Sequence, residues 1–430
     1  MGNVMTDAER LNLELRRNAP AAALSLSSLA RRAAFPKGIP VQAAQASGCE
    51  YRATIGQVTN REGEPVPLPT MKKMLGDLDP RMSFLYSPQG GAPALRAAWR
   101  KRLLANEPNV EISLPMVTFA LTHGISLVAD LFVDEGVEVI VPNPSWGNYK
   151  GIFGLRRGAK FTTWDFFTGD GKLNIAGLKA ALDATKGRSV VILNFPGNPT
   201  GYSPLHDEVE PLLEVLTSHK RPTVVVCDDA YQGLVFEDNA NVKSLFFELT
   251  RRSDKNLLLP VKVDGATKEL AFFGGRVGFL TFGLNREDSE PLIEKARAIA
   301  RATVSSPPGP SQAVVLAALE SPGIEEEIAQ IRELLATRYR ALREALPLVA
   351  DSGFVPYPFN AGCFALLKAP ENIDVEDLRL FLIENYSIGL VALPTVGALR
   401  IAYCSMDERD IRPMFIRLST ALADYTADKS

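Results

Sequence analysis

An α/β fold is what this sequence predicts: a large domain with a mostly parallel sheet between helices, and a smaller α/β domain after it. From about residue 70 to 310, short continuous apolar runs alternate with helix-type segments. Runs that are apolar throughout, rather than at every second position, mark strands covered on both faces, as in parallel sheets. A long helical stretch, Ile324–Leu346, then separates this region from a second set of strand- and helix-type segments. Finally, a chain of 430 residues exceeds what one small core organises, and two or three domains are expected.

Taken in order, residues 1–50 contain alanine-rich amphipathic pieces such as Ala21–Ala34 that read as an arm or short covering helices. Ala53-Thr-Ile-Gly56 opens a more ordered region, and Pro65–Pro69 is proline-punctuated. The strand-type runs are Val137–Val141, Val190–Leu193, Thr223–Cys227, Leu257–Val263 and Phe279–Phe282. Between them lie helix-type segments at Ala92–Leu104, Ile125–Phe132, Ile175–Ala184 and Val209–His219. In Ile324–Leu346 acidic residues come early and arginines late, the order that suits a helix dipole. Cys363–Leu367, Val375–Asn385, Ala398–Ala402 and Arg409–Tyr425 complete the C-terminal part.

Composition removes several classes. The net charge is −3 and no basic stretch is long enough for a nucleic-acid groove, so no nucleic-acid partner is expected. Cys49, Cys227, Cys363 and Cys404 are far apart and fit reduced thiols better than a disulfide framework. His123, His206 and His219 are too scattered to suggest a metal site. No run of about 18 apolar residues predicts a membrane span, and the first ten residues carry no apolar leader segment, so a cytoplasmic location is expected. Phosphate loops of the GxGxxG or GxxxxGK[ST] kind are missing.

Three separated pieces carry chemistry. Asn194-Phe-Pro-Gly-Asn198-Pro-Thr-Gly201 follows the strand-type run Val190–Leu193, at a carboxyl end where open α/β sheets place ligands. As a turn it is ordinary loop punctuation; as a whole it presents an amide side chain on a rigid support. Asp228-Asp-Ala-Tyr231 ends another strand-type run. A carboxylate there needs a cation or a helix to cap, and a phenol lies three residues on. Lys268 and Arg276 follow Leu257–Val263, with glycines beside the arginine that would let a phosphate approach. Thr122-His-Gly124-Ile125-Ser126 precedes a helix-type run and reads as an anion site or a plain cap. Trp146, in Pro142-Asn-Pro-Ser-Trp-Gly147, could stack on a ring or merely pack. An acid for a pyridine nitrogen, donors for a phenolic oxygen, a cation for a phosphate and a lysine for an aldehyde are what pyridoxal phosphate requires.

Together these residues resemble fold-type I pyridoxal-phosphate enzymes, in particular class I aminotransferases of the aspartate/aromatic group, from about Ile55 to the C-terminus. The resemblance implies a large cofactor domain at 66–333 and a small domain built from both chain ends, 1–65 with the arm and 334–430. Asp228-Asp-Ala-Tyr231-Gln-Gly is similar to the subgroup's Asp-x-Ala-Tyr-Gln-Gly. It implies that Asn198 and Tyr231 meet the phenolic oxygen, Asp228 the ring nitrogen, and that Lys268 forms the internal aldimine. Gly124, Ile125, Ser126, Thr267 and Arg276 would hold the phosphate, and Trp146 would stack on the ring. Tyr86, before Gly91-Ala-Pro-Ala-Leu-Arg96, resembles the tyrosine that reaches a neighbouring subunit's phosphate, which implies a homodimer with shared sites. Gly56 falls in a segment similar to the one lining the substrate's way in, and Gly397-Ala-Leu-Arg400 matches the segment whose arginine grips the α-carboxylate. Arg301 is similar to the second arginine, which meets a side-chain carboxylate across the dimer. The family's Ser-x-Ser-Lys is here Gly265-Ala-Thr267-Lys268, one phosphate hydroxyl fewer. The expected activity is ping-pong transfer of an amino group between an L-amino acid, aspartate or glutamate favoured, and a 2-oxo acid. A lyase of the same fold, an aromatic aminotransferase and a non-catalytic ligand sensor are the alternatives.

Overall fold

The computed structural model describes residues 5–76, 78–350 and 352–429. The arm begins with helix Asp7–Asn18, where Thr6 and Glu9 form a reciprocal capping box. After three further short helices the chain enters β1 (Tyr51–Arg52).

The large sheet comprises β2 (Met116–Phe119), β3 (Glu138–Asn143), β4 (Lys160–Asp165), β5 (Ser189–Leu193), β6 (Thr223–Asp228), β7 (Leu258–Gly265) and β8 (Val277–Phe282). Their spatial order is β2-β8-β7-β6-β5-β3-β4, and only β8 runs against its neighbours. The expected mostly parallel sheet between helices is therefore the architecture found. Val139, Val141, Val190, Ile192, Val226, Val261 and Val263 face one side, with Ile125 and Phe153. Ile140, Val191, Leu193, Val225 and Cys227 face the other, with Leu178, Leu212 and Phe246. Both faces are covered, which is why these strands read as unbroken apolar runs; each buried Val or Leu contributes about 1.5–3 kcal/mol.

The sequence reading passes over the two edge strands. β4 is polar and mostly half-exposed, with the pattern Lys-Phe-Thr-Thr-Trp-Asp, and β2 is only four residues long. The exposed positions of β4 interrupt its apolar run, and β2, buried at Met116, Val117 and Thr118, is too short to give one.

The smaller unit contains β9 (Val355–Pro356), β10 (Ala365–Lys368), β11 (Ile388–Gly389), β12 (Val391–Leu393) and β13 (Ala398–Ile401). The order β12-β13-β10-β9 is antiparallel throughout, while β1 pairs with β11 in parallel. Tyr51 and Ala53 thereby join the core formed by Phe354, Leu378, Leu399, Ile411 and Phe415, so both chain ends build this unit. Helix Ile324–Ala345 spans the junction: Ile324, Ile328, Ile331 and Leu335 pack in a core with large-sheet residues Val277 and Phe279, and Tyr339, Leu342 and Ala345 in the smaller one. A boundary at 333/334 falls within this helix.

Gly201 fastens the two units. Its carbonyl accepts from the N–H groups of Asn360 and Ala361, at 3.0 and 2.9 Å. Its φ is +66°, and a Cβ would sit 1.9 Å from the Phe364 carbonyl oxygen. Gly201→Ala is expected to destabilise the protein by more than about 2 kcal/mol, read as a lowered denaturation midpoint in urea.

Candidate active site

The carboxyl edge of the parallel strands carries the charged groups. Asp228 is the last residue of β6 and is buried. Its Oδ2 accepts a 2.5 Å hydrogen bond from the Tyr149 hydroxyl, whereas its Oδ1 has no partner. Removal from water pushes the Asp228 carboxyl up to about 6, against the opposing pull of Tyr149 and Lys268. The following residues form a turn rather than a helix, so Asp228 starts no helix, although the Ala230 N–H also favours its charged form. Asn194 locks β5 beside β6: its Nδ2 donates to the Asp228 carbonyl at 2.7 Å, and its Oδ1 accepts from the Asn198 N–H at 2.7 Å.

Lys268 stands on the short helix Ala266–Glu269 that follows β7. Its ammonium lies 5.3 Å from the centre of the Tyr231 ring and has no hydrogen-bond or ion-pair partner among the described residues. Burial lowers its pKa, and the Asp228 charge opposes that shift. Tyr231 is buried against Phe364, rings 5.5 Å apart, and burial pushes its phenol well up. Thr267 is buried with its hydroxyl unpartnered.

Helix Ala120–Phe132 starts five residues earlier than its sequence suggests, which changes the anion site. Phe119 N–H donates to His123 Nδ1 at 3.0 Å, and Ala120 N–H to the Arg276 carbonyl at 3.0 Å. Of the four N–H groups that a helix leaves free, those of Leu121 and Thr122 meet no acceptor outside the helix among the described residues. Gly124 lies one turn in, where a Cβ would meet Val263 Cγ1 at 2.9 Å; the glycine lets this helix lie close on β7. Ile125 packs in the core, and Ser126 accepts a hydrogen bond from Arg156. Both side chains stand more than a turn inside the helix, away from the free N–H groups at its start, a correction to the sequence reading with its cause in the helix start. Arg276 adopts φ +55°, and of its guanidinium only Nη1 is engaged, with the Phe273 carbonyl at 3.2 Å.

Arg400, on β13, is 1% exposed. It donates to the Thr54 carbonyl at 2.6 Å and to Asn198 Oδ1 at 3.0 Å, while its Nε has no partner. Its guanidinium lies over the Phe364 ring, 4.3 Å from the centre, and burial lowers its pKa to about 10. Gly56 approaches the same ring, where a Cβ would come within 2.5 Å of Phe364 Cζ. Trp146 stands edge-on to Tyr149, rings 5.3 Å apart. Two expected residues lie apart from this group: Tyr86 is 97% exposed, and Arg301 is exposed with its Nη1 on Ser305 at 2.5 Å. Tyr149 and Asn194 were not among the expected site residues; Tyr149 had only its place just after the Trp146 segment as a signal.

The unpartnered groups fit pyridoxal phosphate. Asp228 Oδ1 suits a pyridinium N–H; the free amides of Leu121 and Thr122, the Thr267 hydroxyl and Arg276 suit a phosphate; Lys268 suits an aldehyde. An α/β sheet with this donor set defines an enzyme that uses that cofactor. A family model described as aminotransferase class I and II matches residues 54–418. The chain belongs to this family and is a pyridoxal-phosphate-dependent aminotransferase. The aspartate aminotransferase of Geobacillus stearothermophilus is 25% identical over 333 residues, covering 74% of this chain and 79% of the relative. An aminotransferase from Anaerococcus prevotii has the same fold, with a TM-score of 0.80 at 22% identity over 92% of this chain and 98% of its own. So does the aromatic-amino-acid aminotransferase of Burkholderia pseudomallei, covalently bound to pyridoxal phosphate, with a TM-score of 0.73 at 20% identity over 92% and 100%.

Ionising Asp228 costs the cofactor-free protein stability. Its folded pKa of about 6 exceeds the unfolded value of about 3.9, so the folded state holds the proton more tightly, and stability falls as pH rises through that window. A pyridinium partner removes this penalty. The melting-temperature gap between loaded and cofactor-free protein is therefore expected to be wider at pH 7.5 than at pH 5.

Tyr149→Phe removes the donor to Asp228 and should raise its pKa further. Pyridoxal-phosphate affinity is expected to fall about tenfold at pH 5, below the Asp228 pKa of about 6, with a smaller deficit at pH 8.5 where Asp228 ionises regardless. Equilibrium titration of the cofactor-free variant at both pH values checks this.

Proposed function

We propose that the protein moves an amino group between an L-amino acid and a 2-oxo acid in two half-reactions, with aspartate or glutamate the favoured amino acids. Bound pyridoxal phosphate supplies an aldehyde that joins covalently to an amine and a protonated ring that draws electron density from the substrate α-carbon. Asp228 would keep the ring nitrogen protonated, and Asn198 and Tyr231 would orient the ring through its phenolic oxygen. Lys268 would hold the cofactor through its aldehyde and would take and return the proton at the substrate α-carbon. Burial lowers its pKa, which favours the free amine that this work needs.

The observation that carries the proposal is Arg400. A buried guanidinium with an unpartnered Nε, held by Thr54 and Asn198 over the Phe364 ring against which Tyr231 also packs, is a receptor for a substrate α-carboxylate. Asn198 ties this receptor to the cofactor's ring, so both ends of the reacting carbon are fixed by one side chain. Such orientation can offset roughly 7–11 kcal/mol of the barrier in ideal cases.

The dicarboxylate preference rests on Arg301, which is exposed in one chain and free to meet a site in a second copy; Tyr86 is exposed in the same way. The curated relatives named aspartate aminotransferases support it. A homodimer that shares its sites is part of this reading. Arg301→Gln is expected to raise KM for aspartate by about tenfold and to leave KM for phenylalanine within about twofold. An aromatic preference is the second reading, favoured by Trp146, Tyr149 and Phe364 around the site. Mixing the loaded enzyme with each amino acid in turn, and following the bound cofactor's absorbance, separates the two. Aspartate and glutamate should react fastest; no response to any amino acid would overturn the proposal, and release of ammonia without a 2-oxo acid would replace it with a lyase.

A further inference from the structure

The face of the large sheet opposite Val261 and Val263 holds a charge cluster with no part in the chemistry above. Lys262 and Asp264 alternate with those valines along β7, so their side chains leave on the other side. Lys262, Asp264 and Asp229 are 1%, 2% and 5% exposed. The Lys262 ammonium donates to Asp229 Oδ2 and lies 3.5 Å from Asp264 Oδ2. Asp229 also accepts from the Ser244 hydroxyl at 2.6 Å, and Asp264 from Trp99 Nε1 at 3.2 Å. The Trp99 ring is stacked on Phe279 at 4.1 Å.

One cation is thus shared by two buried carboxylates, and the first of these directly follows Asp228. Buried ion clusters seldom exist for stability, since well-packed apolar groups of the same volume do as well or better. The position of this one suggests another use. An uncompensated charge on Asp229 would oppose a second charge on Asp228, and like charges in one site keep one of the pair protonated. Lys262 is the ammonium that faces Asp229.

We propose that Lys262 is a positioning residue for the cofactor site: by neutralising Asp229 it leaves Asp228 as the anion that the pyridinium nitrogen meets. This rests on the reading of Asp228 given above. Asp264, held by Trp99, fixes the ammonium from the other side and lies four residues before Lys268.

The test is titration of pyridoxal phosphate into cofactor-free, full-length protein, followed by absorbance, for four variants. At pH 5, below the Asp228 pKa of about 6, Lys262→Met is expected to weaken binding about tenfold, the equivalent of one pKa unit at Asp228. Asp229→Asn alone should bind within about threefold of the unaltered protein, and adding it to Lys262→Met should restore affinity to that range. A purely structural lysine would not be rescued by a second substitution. Should Lys262→Met fail to fold, the double variant still decides: an affinity tenfold or more below that of Asp229→Asn overturns the proposal. A folded Lys262→Met with unaltered affinity overturns it too. Asp228→Asn is the control: if it binds the cofactor normally, the reading of Asp228 fails; if it binds weakly while Lys262→Met does not, only the role of Lys262 fails.

Discussion

Alanine at position 268 is expected to reduce transamination by at least about 10⁴-fold, the loss of both a covalent anchor and a general base. The structure supports an effect of this size because the groups around Lys268 among the described residues, Asp228, Tyr231, Cys363, Arg276 and Cys404, include no second amine. Lys262 is the only other lysine in the adjoining strand, and it is committed to Asp229 and Asp264 on the far face of the sheet. Arg276 and Arg400 are guanidiniums and hold on to their protons, even with the Arg400 pKa lowered to about 10. The variant should fold normally, since Lys268 makes no hydrogen bond or ion pair among the described residues and burial already disfavours its charge. It should also still bind pyridoxal phosphate through Asp228, Arg276 and the helix start, giving the absorbance of a free aldehyde. Steady-state rates and an absorbance spectrum of the same sample check both halves. Residual turnover within a hundredfold of the parent would remove Lys268 from its assigned role.

Glutamine at position 400 is expected to lower kcat/KM by about 100-fold or more for every amino-acid substrate, because breaking a buried guanidinium–carboxylate pair costs about 2–5 kcal/mol. The loss should fall on aspartate and phenylalanine alike, since both present an α-carboxylate. That shared loss distinguishes Arg400 from Arg301, whose replacement should touch dicarboxylates alone. Lysine at position 400 should recover only part of the activity, because an ammonium keeps the charge without the planar fork. Folding should suffer little: the guanidinium is buried without an anionic partner, and glutamine can still donate to the Thr54 carbonyl. Kinetics with two substrates and a melting curve for each variant are the measurements.

The parallel strands were legible because their signal is local. Val190–Leu193 and Thr223–Cys227 are apolar at every position, and covered strands have no exposed face on which to show polarity. The chemical kit was legible for a related reason: Asp228, Lys268 and the Asn194–Gly201 turn sit just beyond such runs, and sheet topology gathers carboxyl ends at one edge. The start of helix Ala120–Phe132 was not, since Thr122-His-Gly124 reads as a cap although His123 caps Phe119 from inside the helix. Tyr149 escaped notice because its hydrogen bond to Asp228 spans 79 positions, and a tyrosine at the start of a helical segment carries no mark of what its hydroxyl will reach.

Sequence alone determined the buried parallel strands and the cofactor class, because apolar runs and motif residues are properties of short segments. Tertiary structure decided which of those groups are free to act. It left Asp228 Oδ1, Thr267 Oγ1 and Arg400 Nε without partners, and it committed Lys262 to two carboxylates. Whether a polar atom has a partner is fixed by segments brought together from across the chain, and no single stretch of it contains that information.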